Sequence, residues 1–116
     1  MPKSDRVRLQ HMLDAAMEAR AFTERCGRED LDHNRLLALA LLKCIEIIGE
    51  AASRITPITQ AGHPELPWAD MIGMRNRLIH AYFDIDLDLV WDTVTIDLPP
   101  LIATLQAILS ASPDKS

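Results

Sequence analysis

Apolar residues recur at i, i+3 and i+4 along nearly the whole chain, and the strict alternation of a half-buried strand is almost absent. This period predicts about four long helices. The first spans about Ser4 to Arg25 on the apolar positions Val7, Leu9, Met12, Leu13, Ala16, Met17 and Phe22, and Gly27 just beyond it suits a C-terminal cap. Asp30 or Asp32 suits the N-cap of a second helix that continues to about Ile55. Its Leu36, Leu37, Leu39, Leu41, Leu42, Ile45, Ile47 and Ile48 run nearly all the way round, the pattern of a helix buried on several faces, at the centre of a bundle or in a subunit interface. Residues 56–67 read as a proline-punctuated loop, and Pro67-Trp68 opens a third helix expected to reach about Tyr82. Asp84-Ile85-Asp86 is an acidic connector, Asp86 or Asp88 caps the last helix, and Pro99-Pro100 should kink that helix or split it in two. Residues 112–116 read as a frayed tail. The expected fold is therefore all-α: a single domain over residues 1–116, an up-and-down helical bundle of about four to five helices.

Composition narrows the class. Hydrophobic residues at 48% and charged residues at 25% are ordinary globular values. The longest unbroken apolar run, Leu36 to Leu42, is far short of the roughly 18–20 residues of a membrane span, and no apolar stretch follows the charges of Met1-Pro2-Lys3-Ser4-Asp5 to make a secretory signal. Cys26 and Cys44 have no zinc-ligand spacing and are too few for a disulfide scaffold. A cytoplasmic protein with reduced thiols, no membrane association and no metal is the expectation. Twelve Lys and Arg against 17 Asp and Glu give a net charge of −5. Bulk electrostatics therefore do not favour nucleic acid, so any contact with RNA must pass through a local cationic site or through charges from a second chain.

One segment concentrates chemistry. Gly73-Met74-Arg75-Asn76-Arg77-Leu78-Ile79-His80-Ala81-Tyr82 brings two arginines, an amide, an imidazole and a phenol together. On a continuous helix, at about 100° per residue, Asn76 and His80 share a face and Arg75 reaches the imidazole from the flank. The set suits phosphodiester chemistry: an imidazole exchanges protons near neutral pH, and a guanidinium holds a phosphate and the charge that builds on it. Metal-free RNA cleavage needs both a base and an acid, and the segment holds one histidine. A symmetric dimer pairing two such helices would supply two histidines and two Arg75 guanidiniums to one cleft.

Arg75-Asn76-x-x-x-His80-x-Tyr82 resembles the R-N-x-x-x-H-x-Y signature of HEPN-domain proteins, and in particular the HepT-like toxins of prokaryotic toxin–antitoxin pairs. Three further blocks follow the family's order: Ile47-Ile48-Gly49-Glu50-Ala51-Ala52, Pro64-Glu65-Leu66-Pro67-Trp68, and Val90-Trp91 with Asp97-Leu98-Pro99-x-Leu101. The resemblance implies a HEPN-like homodimer with a composite cleft, acting as the metal-independent ribonuclease toxin of a type VII-like system, with tRNA among the substrates. It implies catalytic roles for Arg75 and His80 and an orienting or phosphate-contacting role for Asn76. It also implies a minimal nucleotidyltransferase antitoxin that neutralises the toxin by adenylylating Tyr82, the one tyrosine in the sequence. No cofactor is implied for the toxin itself; ATP serves the antitoxin as AMP donor.

Blander roles suit most other polar residues. Lys43, Glu46, Glu50 and Arg54 have the spacing of an intrahelical salt-bridge ladder rather than of a two-carboxylate metal site, with Glu50 retained as a cleft-lining candidate because its block belongs to the family pattern. Arg77 suits a surface or dimer-rim charge that lines the cleft. His11, His33 and His63 lack partners at metal-ligand spacing. Trp68 and Trp91 suit core anchors, Met12, Met17, Met71 and Met74 packing filler, and Cys44 an inert buried thiol. Two alternative functions stand beside the ribonuclease. One is a non-catalytic helical module that partners a nucleotidyltransferase and contacts nucleotide or phosphate; the other is a purely structural dimer.

Overall fold

The computed structural model describes residues 1–80 and 84–111. Its elements are α1 (Lys3–Thr23), a short α2 (Asp30–His33), α3 (Arg35–Ser53), a short α4 (Pro57–Gly62), α5 (Trp68–Leu78), α6 (Leu87–Asp92), a π-helical turn over Thr93–Asp97, and α7 (Leu98–Ala111). The last three join as one helix over Leu87–Ala111, so four long helices form, as the periodicity predicts. A single bridge, Ile79 to Ile85, is the only β pairing among the described residues.

α3 packs against both α1 and α5, and α7 packs along α1. Cross-links set the directions. Arg8 donates to the Arg54 carbonyl at 3.2 Å while the Cys44 thiol meets Glu18 at 3.7 Å, so α1 and α3 are antiparallel. Arg6 donates to the Leu109 carbonyl at 3.1 Å and Arg20 to that of Val94 at 3.5 Å, so the last helix is antiparallel to α1 as well. The core residues Leu9, Met12, Leu41, Ile45, Ile48, Met71, Leu78, Val90, Val94, Leu98 and Leu105 are fully buried, each worth about 1.5–3 kcal/mol relative to exposure. α3 is central, as expected, yet Leu36, Leu39 and Ile47 leave an uncovered apolar line along it. Met17, read as packing filler, is exposed too.

Several boundaries differ from the expectation. α1 ends at Thr23, whose hydroxyl donates back to the carbonyls of Ala19 and Arg20, and Gly27 is not its cap but donates its amide to the Asp30 carboxylate at 2.7 Å. The expected second helix is interrupted at Asn34 (φ −132°, ψ 88°), whose side chain accepts from the Leu37 amide at 3.0 Å. Asn34, not Asp30 or Asp32, therefore caps the long helix. The 56–67 loop contains α4, with Pro57 in its first turn, and Gln60 there donates at 3.2 Å to the carbonyls of both Ala52 and Ile55 at the end of α3. The last helix does not split at Pro99-Pro100. One turn before the prolines the ladder widens to the π-turn, where the Leu98 amide donates to the Thr93 carbonyl and the Thr95 hydroxyl donates to the Trp91 carbonyl at 2.7 Å. By length and composition this helix is apolar enough to cross a membrane, a feature that a search for unbroken apolar runs does not catch. Its Val90, Val94, Leu98, Leu101, Leu105, Ile108 and Leu109 are buried in the bundle. The frayed tail expected at 112–116 lies outside the described residues.

A buried carboxylate joins the two ends of the α1–α3 pair. Asp5, fully buried in the first turn of α1, accepts from the Thr56 amide at 3.1 Å, the Thr56 hydroxyl at 2.5 Å and the Thr59 hydroxyl at 2.7 Å. Burial alone would raise its pKa; the three hydrogen bonds, with Arg8 4.0 Å away, outweigh that and hold it below the ordinary 3.8. Removing the carboxylate orphans the buried Thr59 hydroxyl, so Asp5→Ala is expected to cost about 3 kcal/mol in urea unfolding at neutral pH. Because the folded-state pKa is depressed, this stabilisation is complete above 3.8 and is lost as the pH falls through the folded value. Between about pH 5 and pH 2 the wild type should therefore lose more stability than Asp5→Asn, and parallel curves for the two would contradict this account.

Candidate active site

The site begins where α3 and α5 cross. A Cβ placed on Gly49 would lie 2.9 Å from the Met71 carbonyl oxygen, closer than real Cβ atoms come, so only glycine lets the two backbones approach this far. One turn back on α3 is Glu46, and one turn on along α5 is Arg75. Their side chains meet, with Arg75 Nε donating to Glu46 Oε2 at 3.1 Å. The two contacts run in opposite senses, so these helices are antiparallel too. Glu46 Oε1 lies 3.7 Å from Lys43 Nζ, and Arg54 binds Glu50 at 2.7 Å, which is the expected ladder.

His80 is not on the helix. α5 stops at Leu78 because Ile79 turns extended (φ −114°, ψ 122°) and pairs with Ile85. On either side of that bridge the His80 amide donates to the Asp84 carbonyl at 2.7 Å and the Asp86 amide to the Leu78 carbonyl at 2.8 Å. The expected helix to Tyr82, and the shared face of Asn76 and His80 built on it, are therefore corrected: tertiary pairing, not helical phase, places the imidazole. The ring stands between two carboxylates, Nδ1 3.9 Å from Asp84 and Nε2 3.8 Å from Asp86, and is more than half exposed, at 56%. Asp86 acts twice, since its other oxygen caps α6 by accepting from the Leu89 amide at 3.0 Å.

The remaining candidates disperse. Asn76 is exposed, and no hydrogen bond holds its side chain among the described residues. Arg77, about 200° round the helix from Arg75, folds back to donate to the Asp70 carbonyl at 3.0 Å, beside a hollow lined by Met71, Met74, Asp97 and Leu101. Within this chain the two arginines thus form no common patch. Glu50 lines a groove of about 660 Å³ between α1 and α3, with Arg8, His11, Lys43, Glu46 and Arg54 around an apolar floor of Val7, Ile47 and Ala51. Glu46 borders this groove and touches Arg75, so the groove adjoins the guanidinium. Tyr82 lies outside the described residues. The tryptophans are partly buried against the core, and Trp68 Nε1 donates to the His63 carbonyl at 3.0 Å, which fits anchoring. Burial and the neighbouring Glu18 push the Cys44 thiol up to about 11, which keeps it protonated and inert. Among the described residues no group of three His, Cys, Asp or Glu is placed to hold a metal ion.

Residues 12–108 match the family described as ribonuclease HepT-like. The chain belongs to the HepT-like family. It is 37% identical to the "Probable ribonuclease HepT" of Thermococcus cleftensis, across 87% of this chain and 92% of that protein. It is 36% identical to a Methanocaldococcus jannaschii protein with a provisional RNase name, across 80% and 85% of the two chains. A Caldanaerobacter subterraneus protein, also named provisionally as an RNase, is 30% identical across 92% and 96%. No solved structure matches.

For a HepT-like protein the arrangement divides the labour between two kinds of support. Arg75 stands on a packed helix with its Nη groups free of hydrogen bonds among the described residues, an edge suited to bidentate contact with a phosphate. His80 stands on extended backbone held by the bridge. Two residues escaped the sequence reading: Glu46, taken only for a ladder charge, and Asp5. Neither spacing nor composition signals a partner 29 or 51 positions away. Gly49→Ala should gain about 1 kcal/mol of helix propensity but lose more by forcing α5 outward, for a net destabilisation of about 1–2 kcal/mol in chemical unfolding. An unchanged or higher stability would mean the crossing can relax.

Proposed function

We propose that this chain is the toxin of a type VII-like toxin–antitoxin pair, a cytoplasmic, metal-independent endoribonuclease working as a homodimer. The observation that carries the reading is that a guanidinium with free Nη groups, Arg75, and an imidazole, His80, both stand exposed on a segment bearing the signature of a ribonuclease family. In the reaction the substrate 2′-oxygen attacks the adjacent phosphorus and gives up its proton to a base. The P–O5′ bond breaks, and an acid returns a proton to the leaving oxygen, yielding a 2′,3′-cyclic phosphate and a free 5′-hydroxyl. One histidine cannot be base and acid in a single turnover, so the two roles fall to the His80 residues of two protomers, while Arg75 binds the phosphate and stabilises its developing charge. Asn76 contacts or orients the same phosphate. The uncovered apolar line of Leu36, Leu39 and Ile47 on α3 supports the dimer.

The partner is a nucleotidyltransferase antitoxin. The Tyr82 hydroxyl attacks the α-phosphorus of ATP, pyrophosphate leaves, and the tyrosine carries AMP. A phosphate attached two residues from His80 opposes an incoming RNA phosphate by charge and by bulk.

On total tRNA in EDTA the unmodified protein should release fragments, and His80→Ala and Arg75→Ala should each lose about 100-fold or more of that rate. No cleavage by the folded, unmodified dimer favours the binding module instead, and cleavage that persists in both variants places the site elsewhere. Tyr82→Phe should keep cleavage while taking up no AMP from the antitoxin and ATP, read by intact mass; AMP uptake by that variant would remove Tyr82 as the modified residue.

A further inference from the structure

Arg75 is a long side chain at the surface, and what holds it decides how well it can hold a phosphate. We propose that Glu46 is the positioning residue for Arg75, clamping the guanidinium through Nε so that its Nη edge faces the substrate. The inference rests on the ribonuclease reading of the site. Three observations support it. The pair joins two helices rather than successive turns of one, so it fixes Arg75 relative to the bundle. It uses Nε, the nitrogen that leaves the two Nη groups together for bidentate contact, and those make no hydrogen bond among the described residues. It is also prepared by the backbone: Gly49, on the same face of α3, admits the Met71 carbonyl, and this brings α5 close enough for a glutamate to reach its last turn.

The carboxylate also has a cost. Glu46 puts negative charge beside the phosphate site, and Lys43 at 3.7 Å offsets only part of it. Orientation and charge therefore act in opposite directions and separate in the kinetics. Glu46→Ala loses the clamp and the charge together, so kcat for RNA cleavage should fall about 10-fold while KM stays level or falls. Glu46→Gln keeps an acceptor for Nε without the charge, so kcat should stay within about 3-fold of wild type while KM falls. Both sites are substantially exposed, 44% for Arg75 and 40% for Glu46, so neither variant should shift Tm appreciably. In an Arg75→Ala background Glu46→Ala should cost nothing further, since a clamp has no role without what it clamps.

A second readout does not depend on cleavage. The Arg75 Nε–H resonance, assigned through Arg75→Lys, should be sharp and slowly exchanging in the wild type and in Glu46→Gln, and broadened in Glu46→Ala. Equal signals in all three proteins, or a wild-type kcat in Glu46→Ala, overturn the clamp. If the wild type cleaves no RNA, the ribonuclease reading fails, and the resonance alone decides whether Glu46 holds Arg75.

Discussion

The close approach of α3 and α5 at Gly49 is the constraint on which the site depends. With any side chain there the Met71 carbonyl has to move, and α5 with it. Given the glycine, the two helices settle into one antiparallel register, in which Ile45 and Ile48 on α3 and Met71 and Met74 on α5 are buried together in the core. The same register puts Glu46 under Arg75 without any further device. A glycine inside a helix costs about 1 kcal/mol against alanine, and here that loss is offset by the packing it permits. Glu50, its neighbour in the same sequence block, points elsewhere, to Arg54 and the groove beside α1.

The far side of the site follows a different logic. Arg75 inherits its place from a packed helix, whereas His80 inherits its place from one bridge, whose two backbone hydrogen bonds tie the exit of α5 to the entry of α6. Asp86 couples the two, since one oxygen caps α6 and the other faces the imidazole. The guanidinium and the imidazole are close in sequence but are held by separate parts of the fold.

The four long helices are legible in the helical period, as are the burial of α3 on several faces and a cap at Asp86 or Asp88, of which the fold uses Asp86, because each depends on local sequence. What the period could not give were features decided by distant partners. Nothing in Arg77-Leu78-Ile79-His80 stops a helix; Ile85 does, by pairing with Ile79. Asn34 breaks a run that reads as helical on both sides, and the irregularity in the last helix is a π-turn over Thr93–Asp97 rather than a split at Pro99-Pro100. Asp5 looks like an ordinary first-turn acid until Thr56 and Thr59 are folded over it. The site behaves likewise. Arg75 and His80 stand out as candidates by their chemistry and their motif, but their relative placement does not follow from helical phase, because the backbone leaves the helix at Ile79.

The acidic balance of the chain then takes on a physical meaning. Several cations near the site already have a carboxylate: Arg75 and Lys43 share Glu46, Arg54 has Glu50, and Arg77 has Asp70. Such a surface offers little single-sign field, and a nucleic acid gains little by releasing counterions over it. For an RNA substrate of the kind proposed, affinity cannot come from a broad basic face. It has to come from a few phosphates met by groups already in position, where orientation replaces attraction. A carboxylate next to the key arginine is then no contradiction: it gives up attraction the chain never had in quantity and supplies the fixed geometry that a sparse site requires.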